Sequence, residues 1–303
     1  MDALQNILLV IAGPTASGKT DLAIRLAQSL GTVIISADSR QFYREMNIGT
    51  AKPTPEQLAL VPHYFINSHS IANFYSVGDF EREVLALLND LFTKHRVVVM
   101  VGGSGLYIRA VCQGVDDFPP ALPEVKQQLL SLLATEGIVK LQELLLEKDP
   151  VYHKIVDLNN PQRLIRALEV CLSSGQPFSD FRSGVMTSRP FRMVKIGLEM
   201  ERETLYNRIN QRVEDMMANG LLEEAKQLYP SRHQNALQTV GYSELFDHLD
   251  GNYSLEEAVA LIKRNSRRYA KRQMTWLRKE SDLVWISPTE IDSILEMVDS
   301  NRQ

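Results

Sequence analysis

Gly13-Pro14-Thr15-Ala16-Ser17-Gly18-Lys19-Thr20 has the spacing GxxxxGK[ST] and follows an apolar run. That spacing serves anion capture. The glycines let the backbone approach phosphate oxygens, N–H groups of the loop and of the next helix point at them, Lys19 adds charge, and the Thr20 hydroxyl can ligate Mg²⁺. Loops of this class bind nucleotides, ATP among them, so the motif names an anion and leaves the reaction open. No NKxD segment supports GTP specificity. The apolar run Val97–Val101 leads into Gly102-Gly103-Ser104-Gly105 with no Asp at its end, which weighs against an ordinary NTP hydrolase or switch. A second candidate is Asp38, in Ser36-Ala37-Asp38-Ser39-Arg40-Gln41 at the end of another apolar run. There it could act on a ligand or merely cap the following turn, a common use of Asp.

Strands must bring these residues to one edge. Ile7–Ala12, Val33–Ser36 and Val97–Val101 are continuous, largely β-branched runs, the pattern of strands covered on both faces. Helical stretches, Thr20–Leu30 and Val77–His95, alternate with them. The pattern predicts an α/β fold: a P-loop NTPase-like parallel sheet flanked by helices, with right-handed crossovers and ligands at the carboxyl edge. From Gly114 the texture changes. A Pro-rich turn (Phe118-Pro119-Pro120, then Pro123) precedes Leu-dense helices around Val125–Leu133 and Ile138–Glu147, so residues 115–190 read as a helical insertion subdomain. Gln176–Pro190 is its returning loop, and residues 1–114 and 191–303 form the catalytic core. Val194, Ile196 and Leu198 alternate as a strand. Helices follow over Glu201–Asn219, stopped by Gly220, and over Ser254–Glu280, with Ser254 and Glu257 forming a capping box.

The 303 residues are 44% hydrophobic with a net charge of −4, so a protein that coats nucleic acid non-specifically is excluded and any polyanion needs a local basic patch. Lys263–Lys279 supplies one, with eight Lys or Arg and no acid. Arg264, Arg268, Lys271 and Arg272 fall at helical spacings and make one stripe, suited either to a solvated face or to tracking phosphates. Cys112 and Cys171 form no CxxC and the six histidines do not pair at ligand spacing, which fits a reduced cytoplasm and not a zinc site. Ile7–Ala12 is too short to span a bilayer and follows no basic leader, so no membrane role is expected.

Several segments together carry a family resemblance: Gly13–Thr20, Ser36–Tyr43, Met46-Asn47-Ile48-Gly49-Thr50-Ala51-Lys52-Pro53, Val101–Tyr107, Asn160–Glu169 and Lys271–Arg278. In order and spacing the chain resembles bacterial tRNA dimethylallyltransferases along nearly its whole length. Ser104 departs from the family's Gly-Gly-Thr-Gly but keeps the hydroxyl. The resemblance implies that dimethylallyl diphosphate donates its prenyl group to the exocyclic amine of the tRNA adenosine 3′ of the anticodon, releasing diphosphate, with Mg²⁺ as cofactor. A monomer is expected.

By the same resemblance, Gly13, Pro14, Thr15, Ala16, Ser17, Gly18, Lys19 and Thr20 bind the diphosphate, and Asp38, Thr20 and Arg212 form the catalytic set. Asp38, Ser39, Arg40 and Gln41 hold the adenine, and Ser104 and Lys126 approach the tRNA. Gln162, Arg163, Leu164, Ile165 and Arg166, then Gln238, Thr239, Val240, Gly241, Tyr242 and Ser243, then Lys271, Arg272, Gln273, Met274, Thr275, Trp276, Leu277 and Arg278, complete the tRNA contacts. The insertion would meet the anticodon stem-loop. Taken alone, Arg212 is one more helix arginine, Gln162-Arg163 and Arg166 suit a plain helix opening, and Tyr242 suits core packing. A carboxylate is too weak a base to deprotonate a neutral aryl amine beforehand, so Asp38 would accept the proton during or after attack. An unpaired loop base leaves its stack at lower cost than a duplex one. A small-molecule kinase, or an isopentenyltransferase for free adenine nucleotides, would share the P-loop and Asp38 but need neither the stripe nor the insertion.

Overall fold

The expected alternation is present in a computed structural model that describes residues 5–182, 184 and 187–301. Strand β1 (Ile7–Ala12) runs through the glycine loop into helix α1 (Lys19–Leu30), and β2 (Ile34–Ser36) follows. After α2 (Pro55–Leu60), β3 (His63–Tyr64) and α3 (Val77–Leu91) come β4 (Val97–Gly102) and α4 (Gly105–Gln113). With β5 (Arg192–Leu198) and β6 (Val284–Ile286) they form one parallel sheet, ordered β3-β2-β4-β1-β5-β6.

Side chains of β1 divide between two cores. Leu8, Val10 and Ala12 enter one, Ile7, Leu9 and Ile11 the other, and all six are fully buried. Covering both faces is what removes polar alternation from the strand.

By compactness the chain divides into Met1–Gln113 with Ser188–Gln303, and Gly114–Thr187. In the second unit α5 (Pro123–Glu136), α6 (Ile138–Lys148), α7 (Pro150–His153) and α8 (Pro161–Ser174) surround a separate core that includes Leu129, Leu141, Leu145, Leu164 and Leu168. Within the expected loop Gln176–Pro190, Phe178–Phe181 forms a 3₁₀ turn with Phe178 buried, while Ser183, Val185 and Met186 lie outside the described residues.

The first unit continues with α9 (Arg202–Ala218), α10 (Leu221–Leu228), α11 (Tyr242–Leu249), α12 (Leu255–Leu277) and α13 (Ile291–Ser300). Gly220, in the left-handed region at φ 97°, ends α9 and starts α10, a reversal that an L side chain would strain. Ser254 and Glu257 make the expected capping box. Among the described residues, no helix is long and apolar enough to cross a membrane.

Candidate active site

Because β2, β4 and β1 are neighbours, their carboxyl ends gather Asp38, Gly102-Gly103 and the glycine loop around one cleft of about 450 Å³. Close packing explains the glycines after β4. A Cβ on Gly102 would stand 2.2 Å from the Ala37 carbonyl oxygen, one on Gly103 2.3 Å from Gln273 Nε2, and one on Gly105 2.3 Å from the Trp276 ring. At Gly102 the backbone itself excludes a side chain, and at Gly103 and Gly105 one would have to displace Gln273 or Trp276.

In the loop itself, Lys19 Nζ donates to the Pro14 carbonyl at 2.5 Å. Arg212 on α9 donates through Nη1 to Thr15 Oγ1 at 3.0 Å and through Nη2 to the Ala51 carbonyl at 3.3 Å. Burial pushes Lys19 down to about 7, helped by Arg212 and opposed by Asp38. Arg212 is lowered too, by burial, again opposed by Asp38. Four cations line the cleft, Lys19, Lys52, Arg208 and Arg212, against two carboxylates, Asp21 and Asp38. The excess of basic over acidic side chains suits an anionic ligand. Ser17 Oγ, buried and without a partner among the described residues, is a further donor in the same loop.

The capping use of Asp38 is present, and the same residue lines the cleft. Its Oδ1 accepts from the Arg40 N–H at 2.9 Å and the Gln41 N–H at 3.4 Å, capping the turn, and its side chain lines the cleft. Ser104 Oγ accepts from the Ser39 N–H at 3.0 Å. Gln41 accepts from Ser36 Oγ at 3.1 Å and donates to the Thr50 and Ala51 carbonyls at 3.2 Å, so its amide is committed to the cleft wall.

Sequence reasoning gave no site role to Arg208, Lys52 or Tyr269, which all line the cleft. Arg208 lies four residues before Arg212 on α9, a same-face spacing that could have found it. Lys52 donates to the Tyr43 carbonyl (2.5 Å), Asn47 Oδ1 (3.1 Å) and Asn67 Oδ1 (2.6 Å), and burial pushes it down to about 8. Tyr269 shares a hydrogen bond with the Ser104 hydroxyl, and its phenol is raised by burial and then by the charge of Asp38. A tyrosine on a helix carries no sequence signal for such a place.

The residues expected to meet tRNA divide by exposure. Arg264, Arg268, Lys271 and Arg272 are exposed along α12, and no ion pair among the described residues uses them. Thr275 and Arg278 are also exposed, while Met274 and Trp276 are half-buried. Gln273 and Leu277 point inward and are not free for RNA: Leu277 joins the core, and Gln273 Oε1 accepts from the Thr15 N–H at 2.9 Å while Nε2 donates to the Gly103 carbonyl at 2.9 Å. Tyr242 is likewise corrected, its ring fully buried and its hydroxyl donating to Glu224 Oε1 at 2.6 Å. Gly241 is buried beside it, Thr239, Val240 and Ser243 are half-buried, and Gln238 is exposed. In the other unit Lys126, Gln162, Arg163 and Arg166 are exposed, whereas Leu164 and Ile165 fill that unit's core and offer no side chain to a ligand.

Known proteins resemble this chain over most of its length. Residues 41–280 match the family model described as IPP transferase. The chain is 52% identical over 282 residues, 93% of each protein, to the tRNA dimethylallyltransferase of Christiangramia forsetii. It is 46% identical over 303 residues, all of both proteins, to that of Cytophaga hutchinsonii. Among solved structures, the full-length tRNA isopentenylpyrophosphate transferase of Bacillus halodurans superposes with a TM-score of 0.72 at 38% identity, covering 98% of this chain and 97% of that one. A eukaryotic dimethylallyltransferase acting on tRNA superposes with a TM-score of 0.76 at 26% identity, covering 98% and 76%. With a matching family model over most of its length and relatives aligned nearly end to end, the chain belongs to the IPP transferase family.

Proposed function

We infer that this protein transfers the dimethylallyl group of dimethylallyl diphosphate to the exocyclic amine of the adenosine 3′-adjacent to the anticodon of tRNA, releasing diphosphate. The observation that carries the reading is one cleft that a phosphate-binding loop with Lys19, the guanidinium of Arg212 and the carboxylate of Asp38 all line. In the reaction the bond between the allylic carbon and the diphosphate oxygen breaks, its electron pair leaving with the diphosphate, as the adenine nitrogen bonds to that carbon. Lys19, Arg212 and the loop amides meet the charge that develops on the leaving group, the larger electrostatic task. The amine becomes acidic as it bonds to carbon, and Asp38 takes its proton.

Thr20 offers a hydroxyl oxygen in the same cleft, a donor that with the diphosphate oxygens suits a hard divalent cation. When bound there, Mg²⁺ would neutralise part of the diphosphate charge. The exposed stripe on α12 is suited to phosphates of the tRNA backbone, and Lys126, Arg163 and Arg166 add exposed cations on the second unit. A tRNA substrate also implies work in the cytoplasm.

The test supplies the protein with labelled dimethylallyl diphosphate and either AMP or unmodified tRNA. Label in the tRNA, recovered at the adenosine following the anticodon, is the expected result. Label in AMP alone, or phosphate release without prenyl transfer, would overturn the assignment.

A further inference from the structure

A single carboxylate, distant in sequence, holds the turn that begins one wall of the cleft. Glu224 on α10 accepts through Oε2 from the N–H groups of Asn47 (3.1 Å) and Ile48 (2.8 Å), and through Oε1 from that of Gly49 (3.0 Å). Oε1 also accepts from the Tyr242 hydroxyl at 2.6 Å. The Tyr242 ring lies so close to Gly49 that a Cβ there would stand 2.5 Å from it. Tyr242 is itself fixed at the start of α11. Glu244 accepts from the Gly241 N–H at 2.8 Å and from Asn265 Nδ2 on α12 at 2.8 Å.

Beyond the turn the chain supplies Thr50, Ala51, Lys52 and Pro53 to the cleft. Ala51 stands in the left-handed region at φ 47°, a conformation that a residue with a side chain keeps only when its surroundings impose it. Its carbonyl is the acceptor for Arg212 Nη2, and Arg212 Nη1 reaches Thr15 of the phosphate loop. A continuous path of hydrogen bonds and covalent chain thus runs from the Tyr242 hydroxyl through Glu224 and the 47–51 backbone to the guanidinium.

We propose that Glu224 and Tyr242 are positioning residues for the diphosphate site, holding the 47–53 wall so that the Ala51 carbonyl aims Arg212 at the leaving group. The proposal rests on the prenyl-transfer reading for its purpose but not for its test. It also gives Tyr242 a role in donor binding in place of a direct contact with RNA.

Calorimetric titration with inorganic diphosphate and Mg²⁺ needs no prenyl transfer, so it separates this proposal from the reading of the reaction. Tyr242→Phe keeps the ring against Gly49 and removes only the hydroxyl. Glu224→Gln keeps the size of the side chain and removes its charge. Loss of a hydroxyl-to-carboxylate bond that orders the wall should weaken diphosphate binding roughly tenfold in either variant, with tRNA affinity changed by less than about threefold. In an Arg212→Ala background both substitutions should have no further effect, because the residue they position is gone. Unchanged diphosphate affinity in Tyr242→Phe would overturn the proposal. So would a loss that adds in full to that of Arg212→Ala, since a purely structural role would not depend on the arginine. Should Glu224→Gln fail to fold, Tyr242→Phe alone carries the cycle.

Discussion

Asp38 caps the turn over Arg40 and Gln41 and also lines the cleft with Lys19 and Arg212, so the two uses must be separated by experiment. Asp38→Asn does so. Asn caps nearly as well as Asp but cannot accept the amine proton. Single-turnover rates at saturating tRNA and donor should fall by at least about a hundredfold, with binding changed by less than about tenfold. A rate within a few-fold of the parent would leave Asp38 a turn residue only. Lys19 makes a pH-dependent prediction. Burial holds it at about 7 against an ordinary 10.5, so between those values the unfolded chain binds more protons and the cost of burying the charge declines as pH rises; below about 7 that cost is fully present. A bound diphosphate favours the ammonium, so binding at pH 8 should take up a proton and weaken as pH rises further. Titrations in buffers of different ionisation heat would show that uptake, and Lys19→Met should abolish it. Identical heats in all buffers for the parent would refute it. The phosphate loop was legible because it is a contiguous motif after a strand, and the place of Asp38 because it ends another, whereas the residues alone left its use open between ligand and cap. Arg212 was not legible unaided, since its partner Thr15 lies 197 positions away; Glu224 is separated from its turn by a similar distance.

Helix α12 presents two faces, cations to solvent and Gln273 to the phosphate loop. Replacing Arg268, Lys271 and Arg272 by Ala should raise the Michaelis constant for tRNA and flatten its salt dependence while leaving donor affinity nearly intact. An equal loss for both substrates would mean that the helix chiefly supports the fold. Gln273→Leu should do the converse: it leaves the Thr15 N–H and the Gly103 carbonyl without their partner and so weakens donor binding more than tRNA binding. A selective tRNA defect in that variant would contradict the inward placement. The helix was readable from its capping box and its acid-free run. Which of its residues faced inward was not, because Gln273 differs from its polar neighbours only through the loop packed against it. Strands β3 and β6, two and three residues long, were too short to leave a periodic pattern. Tyr242 was ambiguous for another reason. An aromatic at a helix start suits RNA or core equally until Gly49 and Glu224 are brought beside it.

Across the whole molecule the parallel sheet is the common support, since the cleft exists only where β2, β4 and β1 end together. Its order required knowing that β4 inserts between β2 and β1, a non-local pairing that strand runs alone do not specify. Leu9 lies at the centre of β1 and is fully buried. Leu9→Ala should therefore destabilise the protein by about 2–5 kcal/mol, read as a lowered urea midpoint; a loss under about 1 kcal/mol would mean the site collapses around the gap. The steric closure at Gly102, Gly103 and Gly105 bears on which isoprenoids the enzyme can be redesigned to accept. A longer tail demands volume, and this edge of the cleft can yield none, because its glycines already have nothing to trim. Of the two α12 side chains that line the cleft, Tyr269 and Gln273, shortening Gln273 would unfasten the phosphate loop. Tyr269, which lines the same cleft without holding that loop, is the α12 side chain to shorten first, and turnover with a longer-tailed donor would show whether the room gained is used.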